Sequence, residues 1–306
     1  MSYRTVKRKL DQVYKHAPVI TFGSDAKLVI MSDCHRGQGN AGDNFLANQA
    51  VCFGALEYYF HGGFTYIELG DGDELWENRR LKTIAEVHDD IFWILSRFYE
   101  QKRLYMVYGN HDIVKRNKGY MNRHCDNYYC DSAHTEQPLL PGITVEEGLI
   151  FQNRKDGNEI FMVHGFQGDF LNDTLWPLAR FLVRYVWRHM ELIGFLDPTG
   201  AGRPRKAKER VEKRLADYSC DRQQILIAGH THRPAFSKPE EGFYFNSGSC
   251  VHPRCITCIE IEDNEISLVK WSVRSGGDRI LRVEREVLEG PASLTEYTRM
   301  RKKIKE

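Results

Sequence analysis

Residues 27–35 read KLVIM followed by SDCH, a short apolar run that ends directly in polar residues. The same order recurs at four later places: TYIEL before GDGD (65–73), RLYMVY before GNHD (103–112), IFMV before HG (160–165) and ILIA before GHTH (225–232). Runs this short, rich in Ile, Val and Tyr, are typical of buried strands. The pattern predicts five strands, each with a polar cluster at its carboxyl end.

Helical patterns lie between several of these runs. Residues 43–60 and 81–101 have apolar residues spaced by about 3.6 positions and contain no proline. Alternating strands and helices predict an α/β core. Two hairpins are also expected, over 148–163 with a turn at 155–158 and over 255–273 with a turn at 262–265. The sheet structure is therefore predicted to be mixed.

Composition excludes several classes of protein. Of 306 residues, 42% are hydrophobic and 28% charged, which is ordinary for a globular chain and argues against disorder. The formal net charge of +1 gives no argument for nucleic acid or membrane binding. No run of about 18 apolar residues and no apolar segment behind the basic N-terminus is present. We expect a cytoplasmic protein in which the eight cysteines are reduced and form no disulfide framework.

One segment differs from the rest of the chain. Between residues 164 and 225 there is no strand signal, and two helices are predicted, one from about 172 to 192 and one from about 205 to 218. Ala207, Val211 and Leu215 lie on one face of the second helix. We interpret residues 170–220 as a helical cap inserted into a single domain that spans residues 1–306.

The residue types of the five clusters point to metal chemistry. Asp, His and Asn provide oxygen and imidazole ligands that suit Mn, Fe or Zn. Asp33 and His35 are two residues apart and can point to one place, and so can His230 and His232. A carboxylate such as Asp71 can bridge two cations about 3.5–4 Å apart, which activate a shared water and align a phosphate for in-line attack. Asp71 is preferred to Asp73 because it directly ends the apolar run.

The five motifs together resemble the calcineurin-like metallophosphoesterase superfamily. They stand here as SDCHRG, LGDGDELW, YGNHD, VHGF and AGHTHRP, and the resemblance runs from about Leu28 to Val273. It implies a two-sheet sandwich with helices on both outer faces. It also implies two divalent metal ions as cofactors, with seven ligands: Asp33, His35, Asp71, Asn110, His164, His230 and His232.

The resemblance assigns roles within this set. Asp33, His35, Asp71 and His232 would hold one metal, and Asp71, Asn110, His164 and His230 the other. His111 would not bind metal but would assist the leaving group. Either Glu74 or Asp112 would orient His111. The implied activity is hydrolysis of a phosphoester by in-line attack of metal-activated hydroxide on phosphorus.

The substrate is less well defined by the sequence. GDGDELW, GHTHRP and the helical insert are similar to those of UDP-2,3-diacylglucosamine hydrolases, which cleave a lipid-linked pyrophosphate, although those enzymes carry Arg at the position of His111. Substrate binding is assigned to Arg36 and to Arg180, Arg184 and Arg188, which recur every four residues on one helix face. A solvated helix face is the alternative interpretation of that stripe.

Three hydrolytic activities therefore stay open, together with a scaffold role that is disfavoured. The chain is predicted to act on a lipid-linked or nucleotide pyrophosphate, with peripheral contact of the cap with the inner face of the membrane as one option. A general phosphomonoesterase and a nucleotide or nucleic-acid phosphodiesterase are alternatives. A non-catalytic scaffold is disfavoured because every expected ligand and His111 are present. No specific protein partner is predicted.

Overall fold

The computed structural model describes residues 2–40, 42–125, 127–130, 133–169 and 205–305. The strands in these residues are β1 (Val19–Phe22), β2 (Leu28–Met31), β3 (Thr65–Leu69), β4 (Leu104–Val107), β5 (Asn127–Cys130), β6 (Thr135–Pro138), β7 (Val145–Glu146), β8 (Gly148–Asn153), β9 (Glu159–Val163), β10 (Ile225–Ala228), β11 (Ala235–Phe236), β12 (Tyr244–Asn246), β13 (Cys255–Glu262), β14 (Glu265–Ser275) and β15 (Leu281–Ser293). The helices are α1 (Tyr3–His16), α2 (Gln49–His61), α3 (Leu81–Val87), α4 (Asp89–Glu100), α5 (Lys118–His124), α6 (Arg205–Arg222) and α7 (Leu294–Lys305).

The strands form two large mixed sheets. One has the order β15-β14-β13-β2-β3-β4-β7, and the other has the order β1-β8-β9-β10-β12-β11. In the first, β2, β3 and β4 are parallel neighbours, and in the second, β9 and β10 are parallel. All five predicted runs are therefore strands. The two predicted hairpins are present as the antiparallel pairs β8–β9 and β13–β14.

The two sheets pack face to face, with helices on the outer faces. The apolar layer between the sheets contains Ile30 and Ile67 from one sheet and Met162 and Ile227 from the other, all fully buried. Helices α2, α3 and α4 cover the outer face of the first sheet, and α1 and α6 cover that of the second. This confirms the mixed α/β sandwich with flanking helices.

Two predicted helical segments differ in detail. The segment 81–101 is broken at His88, which ends α3 and precedes α4 with φ −111° and ψ 44°. The second helix of the predicted cap is α6, whose Val211 and Leu215 are buried against the second sheet. Because that apolar face packs on strands β10 and β12, α6 belongs to the outer helical layer. The rest of the predicted cap lies outside the described residues.

Several elements were not anticipated from the sequence. They are the N-terminal helix α1, the edge strands β1 and β15, the small β5–β6 sheet and the C-terminal helix α7. Cys255 and Cys258 lie on β13, as the alternating pattern predicted, and Cys258 is buried. Among the described helices, none is both long and apolar enough to cross a bilayer.

Candidate active site

The five polar clusters meet at one edge of the sandwich, because strands from both sheets end there. Main-chain hydrogen bonds join the loops: Asp33 N donates to Gly70 O at 3.0 Å, and His35 N donates to Asp71 O at 2.9 Å. Between the sheets, the main-chain N–H of His230 donates to Asp33 Oδ2 at 2.8 Å. The loops are therefore fixed to one another by the backbone as well as by side chains.

The first group of candidate ligands contains Asp33, His35 and His232, all buried. His232 Nε2 lies 3.2 Å from Asp33 Oδ1 and 3.3 Å from His35 Nε2. His35 Nε2 is 3.8 Å from Asp33 Oδ1 and 3.9 Å from Asp71 Oδ2. Asp71 therefore borders this group, as a bridging carboxylate must.

The second group contains Asp71, His164 and His230. His164 Nδ1 donates to the main-chain oxygen of Leu69 at 2.9 Å, which places the proton of the neutral ring on Nδ1. Nε2, the atom that the neutral ring would leave free for a metal ion, lies 3.0 Å from Asp71 Oδ2. An imidazole held in this tautomer by a main-chain oxygen is the usual arrangement of a metal-binding histidine.

The polar atoms of this centre fit divalent cations. Asp33 Oδ1, His164 Nε2 and both amide atoms of Asn110 are buried and form no hydrogen bond within the described residues. A buried polar atom without a partner costs about 1–3 kcal/mol. Oxygen and imidazole acceptors packed this closely favour a cation between them. The donor set therefore suits divalent metal ions, with Asp71 in the second group and at the border of the first.

The electrostatics of the centre point the same way. Burial alone would raise the pKa of Asp71, but the charges of His164 and His111 outweigh it and hold the pKa well below its ordinary value. Burial would lower the pKa of His164, yet Asp71 and Asp33 raise it to about 9. Burial, with His35 and Lys208, lowers the pKa of His232 to about 3 despite Asp33. The carboxylates thus favour positive charge at their centre.

His111 contacts Glu74 and also forms a third group of possible metal ligands with His35 and Asp71. Its main-chain N–H donates to Asp71 Oδ1 at 2.7 Å, and its Nδ1 is 2.7 Å from Glu74 Oε2. The same carboxylate oxygen is 3.1 Å from His35 Nδ1. Burial would raise the pKa of Glu74, but His111 and His35 lower it to about 2. Glu74 is therefore an anionic partner of His111, as the sequence allowed.

Asp112 is placed differently from the alternative expectation that it orients His111. Its Oδ1 accepts a hydrogen bond from Gly109 N at 2.7 Å, and its Oδ2 accepts one from Gly72 N at 3.2 Å. Oδ2 is also 2.8 Å from Lys115 Nζ. Asp112 therefore fixes the two loops that carry Asp71 and His111. Among the described contacts, the carboxylate next to the His111 ring is that of Glu74.

Arg36 also departs from its predicted place in the substrate crevice. Its guanidinium donates to Glu68 at 2.8 and 2.9 Å and to Asp73 at 2.7 Å, and the side chain is 1% exposed. Lys115 completes this buried ion cluster, 2.6 Å from Asp73 Oδ2. Since its donors face carboxylates in the interior, Arg36 supports the Asp71–Glu74 loop from below and does not reach the crevice.

Backbone strain is concentrated in the ligand loops. Five candidate ligands have positive φ, between 48° and 67°: Asp33, His35, Asp71, His230 and His232. Residues held in this region cost of order 1–3 kcal/mol each and persist only where the surrounding structure determines them. The strain indicates that the loops are built to aim these side chains.

Some residues of the site were missed, and some predicted ones are not described. Asp169, whose Oδ2 is 3.2 Å from His230 Nε2, and Trp76, which stacks on His111, were not singled out from the sequence. Their proximity depends on tertiary contacts, and only the neighbouring motifs GDGDELW and VHGF offered a signal. The predicted substrate-binding residues Arg180, Arg184 and Arg188 lie outside the described residues.

Known proteins resemble this chain at the level of a sequence family and of solved structures. No curated protein matches the sequence. Vps29 from Chaetomium thermophilum is similar in structure, with 11% identity, a TM-score of 0.35, and coverage of 87% of this chain and 96% of that one. The same protein in complex with the RaPID-derived cyclic peptide RT-D3 gives 11% identity, a TM-score of 0.34, and coverage of 86% and 96%. The model of the calcineurin-like phosphoesterase superfamily domain matches residues 27–263. This chain therefore belongs to the calcineurin-like phosphoesterase superfamily.

Proposed function

We propose that the protein is a phosphoester hydrolase that uses two divalent metal ions. The observation that carries the proposal is the convergence of buried Asp and His side chains into adjoining groups with Asp71 at their border. When bound there, the cations supply Lewis-acid polarisation of the phosphoryl group and an activated water nucleophile. Family membership supports the same reaction class.

The candidate ligands would be divided between the two cations. Asp33, His35 and His232 would hold one cation, Asn110, His164 and His230 the other, and Asp71 both. His164 is oriented by the Leu69 main chain, so that no rotation is needed when the cation binds. These ligands would hold the cations, which in turn would position the reacting phosphate.

His111 would act on the leaving group. Its Nδ1 lies against the Glu74 carboxylate, which leaves Nε2 as the ring nitrogen that is available to a substrate. Burial would lower the pKa of His111, but Glu74 and Asp71 outweigh burial and raise it, which favours the protonated ring. A protonated imidazole can give its proton to the departing oxygen, a contribution typically of 10²–10⁴ in rate.

For the substrate we propose a lipid-linked or nucleotide pyrophosphate. Support comes from the GDGDELW and GHTHRP motifs and from Lys208 of α6, whose charge contributes to lowering the pKa of His232. A cationic side chain on α6, which packs on the strand that precedes His230, suits a substrate with a second phosphate. Phosphomonoesters and nucleotide phosphodiesters are the competing classes.

A substrate panel tests this proposal. Protein loaded with Mn²⁺ would be assayed against 4-nitrophenyl phosphate, bis(4-nitrophenyl) phosphate, a nucleotide sugar pyrophosphate and its diacylated form. We expect the highest kcat/KM on a pyrophosphate, and Lys208→Ala should lower that value more than the value for 4-nitrophenyl phosphate. Exposed Lys213, on the solvent side of α6, provides the matched control Lys213→Ala. Highest kcat/KM on a monoester or diester would reassign the substrate, and no hydrolysis at all would favour a scaffold.

A further inference from the structure

The indole of Trp76 lies flat against the imidazole of His111. The ring centroids are 4.2 Å apart and the planes differ by 20°. Trp76 is 1% exposed and His111 3%, so the stack is shielded from solvent. Rotation of a histidine ring about χ2 is only weakly restricted by its own covalent structure. The Trp76 indole, stacked on one face of the ring, therefore restricts χ2 of His111, which the covalent structure leaves nearly free.

The other sides of the His111 ring are held by different groups. Glu74 Oε2 lies against Nδ1, and the ring of His35 meets that of His111 edge-on at 4.7 Å and 85°. Trp76 also supports the carboxylate, because its main-chain N–H donates to Glu74 Oε1 at 3.2 Å. That hydrogen bond comes from the main chain, so replacing the indole removes the stack and keeps the donor.

Glu74 by itself cannot fix the imidazole. A carboxylate that meets one ring nitrogen sets the position of that nitrogen but lets the ring swing about the contact. Nε2, on the far side of the ring, moves most in such a swing. A misplacement of about 1 Å at a reacting atom can cost about 10²-fold in rate. The face of the ring is where an additional constraint is needed, and Trp76 occupies it.

We propose that Trp76 is a positioning residue that holds the His111 ring with Nε2 directed at the leaving oxygen. The inference rests on the proposed function, because it assumes that His111 assists the leaving group. It goes further by assigning the aromatic residue of the GDGDELW motif to the reaction. Trp76 itself touches neither the phosphate nor a metal in this assignment.

The test compares Trp76→Phe, Trp76→Met and Trp76→Leu, each in the wild-type protein and in His111→Gln. Activity is measured on 4-nitrophenyl and phenyl esters of whichever phosphoester class the wild-type protein hydrolyses. Trp76→Met and Trp76→Leu should lower kcat on the phenyl ester by ~10–100-fold, part of the range of a general acid, with KM nearly unchanged. The loss on the 4-nitrophenyl ester should be smaller, because 4-nitrophenolate departs without a proton.

Two results separate positioning from simple packing. Trp76→Phe, which keeps an aromatic face, should retain kcat within ~3-fold, and in His111→Gln the Trp76 substitutions should add almost nothing, since groups that act as a unit are non-additive. Buried Trp271, which packs against Tyr59 in the outer layer, provides the matched control. Trp271→Leu should lower stability without any dependence on the leaving group.

A spectroscopic measurement is independent of turnover. In ¹³C-histidine-labelled protein loaded with Zn²⁺, the ring protons of His111 should be shifted upfield by the indole, and Trp76→Leu should abolish that shift. His111→Gln identifies the signal. Trp76→Met serves where Trp76→Leu does not fold.

The inference is overturned if the Trp76 substitutions lower kcat equally on both esters or if that loss persists in His111→Gln. It is also overturned if the His111 signal does not change when Trp76 is replaced. Each of these outcomes, seen with an active wild-type protein, leaves the proposed function intact. A wild-type protein that holds two Zn²⁺ ions and hydrolyses no ester instead contradicts the proposed function, and the inference fails with it.

Discussion

Glycine precedes three of the candidate ligands. At Gly109 the reason is that the neighbouring Asp71 leaves no room for a Cβ atom. A Cβ atom there would lie 2.1 Å from Asp71 Oδ1 and 2.5 Å from Asp71 N. Gly70 has a related constraint, since its φ is +85° and a Cβ would meet the ring of His164 at 2.6 Å. The glycines of the GD and GNHD motifs therefore allow ligands from neighbouring loops to approach one another.

Gly109→Ala should disrupt the metal centre selectively. The added methyl group must displace Asp71, the carboxylate shared by both ligand groups, so we expect metal affinity to fall by at least about 10-fold, the lower end for disturbed ligand support. Isothermal titration with Mn²⁺ measures the change. Gly277→Ala is the matched control, because no described residue lies within 4 Å of a Cβ at that position. Unchanged Mn²⁺ affinity in Gly109→Ala would show that Asp71 is not a ligand.

His111 is close enough to His35 and Asp71 to be a metal ligand itself, so its role needs a direct test. We expect His111→Ala to keep both metals and to lose roughly 10²–10⁴ in turnover, the usual range for a general acid. Metal analysis and kcat, measured on the same preparation, check both parts. Loss of one metal ion per chain would instead make His111 a ligand and would remove the basis for its role at the leaving group.

At the scale of elements, the loop after β2 is tied to the helical layer through Asp43. Its carboxylate accepts hydrogen bonds from Gly39 N at 2.8 Å and from Phe45 N at 3.2 Å. It also meets His88 Nε2 at 2.9 Å, with both side chains buried. This contact joins the loop to the break between α3 and α4. His88 is the residue at which the apolar pattern predicted over 81–101 divides into two helices.

Asp43 should give the fold a measurable dependence on pH. Burial would raise its pKa, but the hydrogen bonds from His88 and Gly39 outweigh burial and lower it. A carboxylate whose folded pKa is lowered stabilises the fold above its unfolded pKa of about 4 and loses that contribution as the pH falls through the lower folded value.

Asp43→Asn should therefore lower the free energy of unfolding at pH 7 by about 1–3 kcal/mol. The difference from wild type should shrink as the pH falls from about 4 toward the lower folded pKa, because the unfolded chain takes up the proton first. Urea unfolding at several pH values measures it, with exposed Asp25→Asn as the control. A difference that is constant from pH 7 to pH 3 would contradict the ionised, hydrogen-bonded state of Asp43.

At the scale of the whole molecule, the candidate centre joins the two sheets. Asp33, His35, Asp71 and Asn110 follow strands of one sheet, whereas His164, His230 and His232 follow strands of the other. The centre thus depends on how the sheets pack across the apolar layer that contains Ile30 and Met162. Cations bound by ligands from both sheets would stabilise the packed state, because such a site is absent from the unfolded chain.

The sequence was informative where structure is local. Each of the five strands is a contiguous apolar run, and each cluster follows its strand directly, so their common location could be predicted. Strand β15 could not, because it is an edge strand whose residues are mostly exposed on both faces and show little apolar alternation. Helix α1 did carry a signal, since its buried Val6, Leu10 and Val13 have helical spacing.

Roles that depend on tertiary contacts were beyond the sequence. Arg36 follows a ligand motif as a substrate-binding residue would, but only the packing of Glu68 and Asp73 around it shows that it is interior. The choice between Glu74 and Asp112 as the partner of His111 likewise needed the loop conformations. The left-handed φ of Asp33 and Asp71 has no sequence signature, because neither is glycine.

We propose that hydrolysis of a phosphoester by this chain depends on two bound metal ions. The most direct measurement is the rate of phosphoester hydrolysis by metal-free protein titrated with Mn²⁺, with bound metal determined at each point. We expect activity to rise with bound Mn²⁺ and to reach its plateau at two ions per chain, and we expect Asp71→Asn to abolish the rise. Two bound ions with no hydrolysis of any phosphoester, or full activity without bound metal, would contradict it.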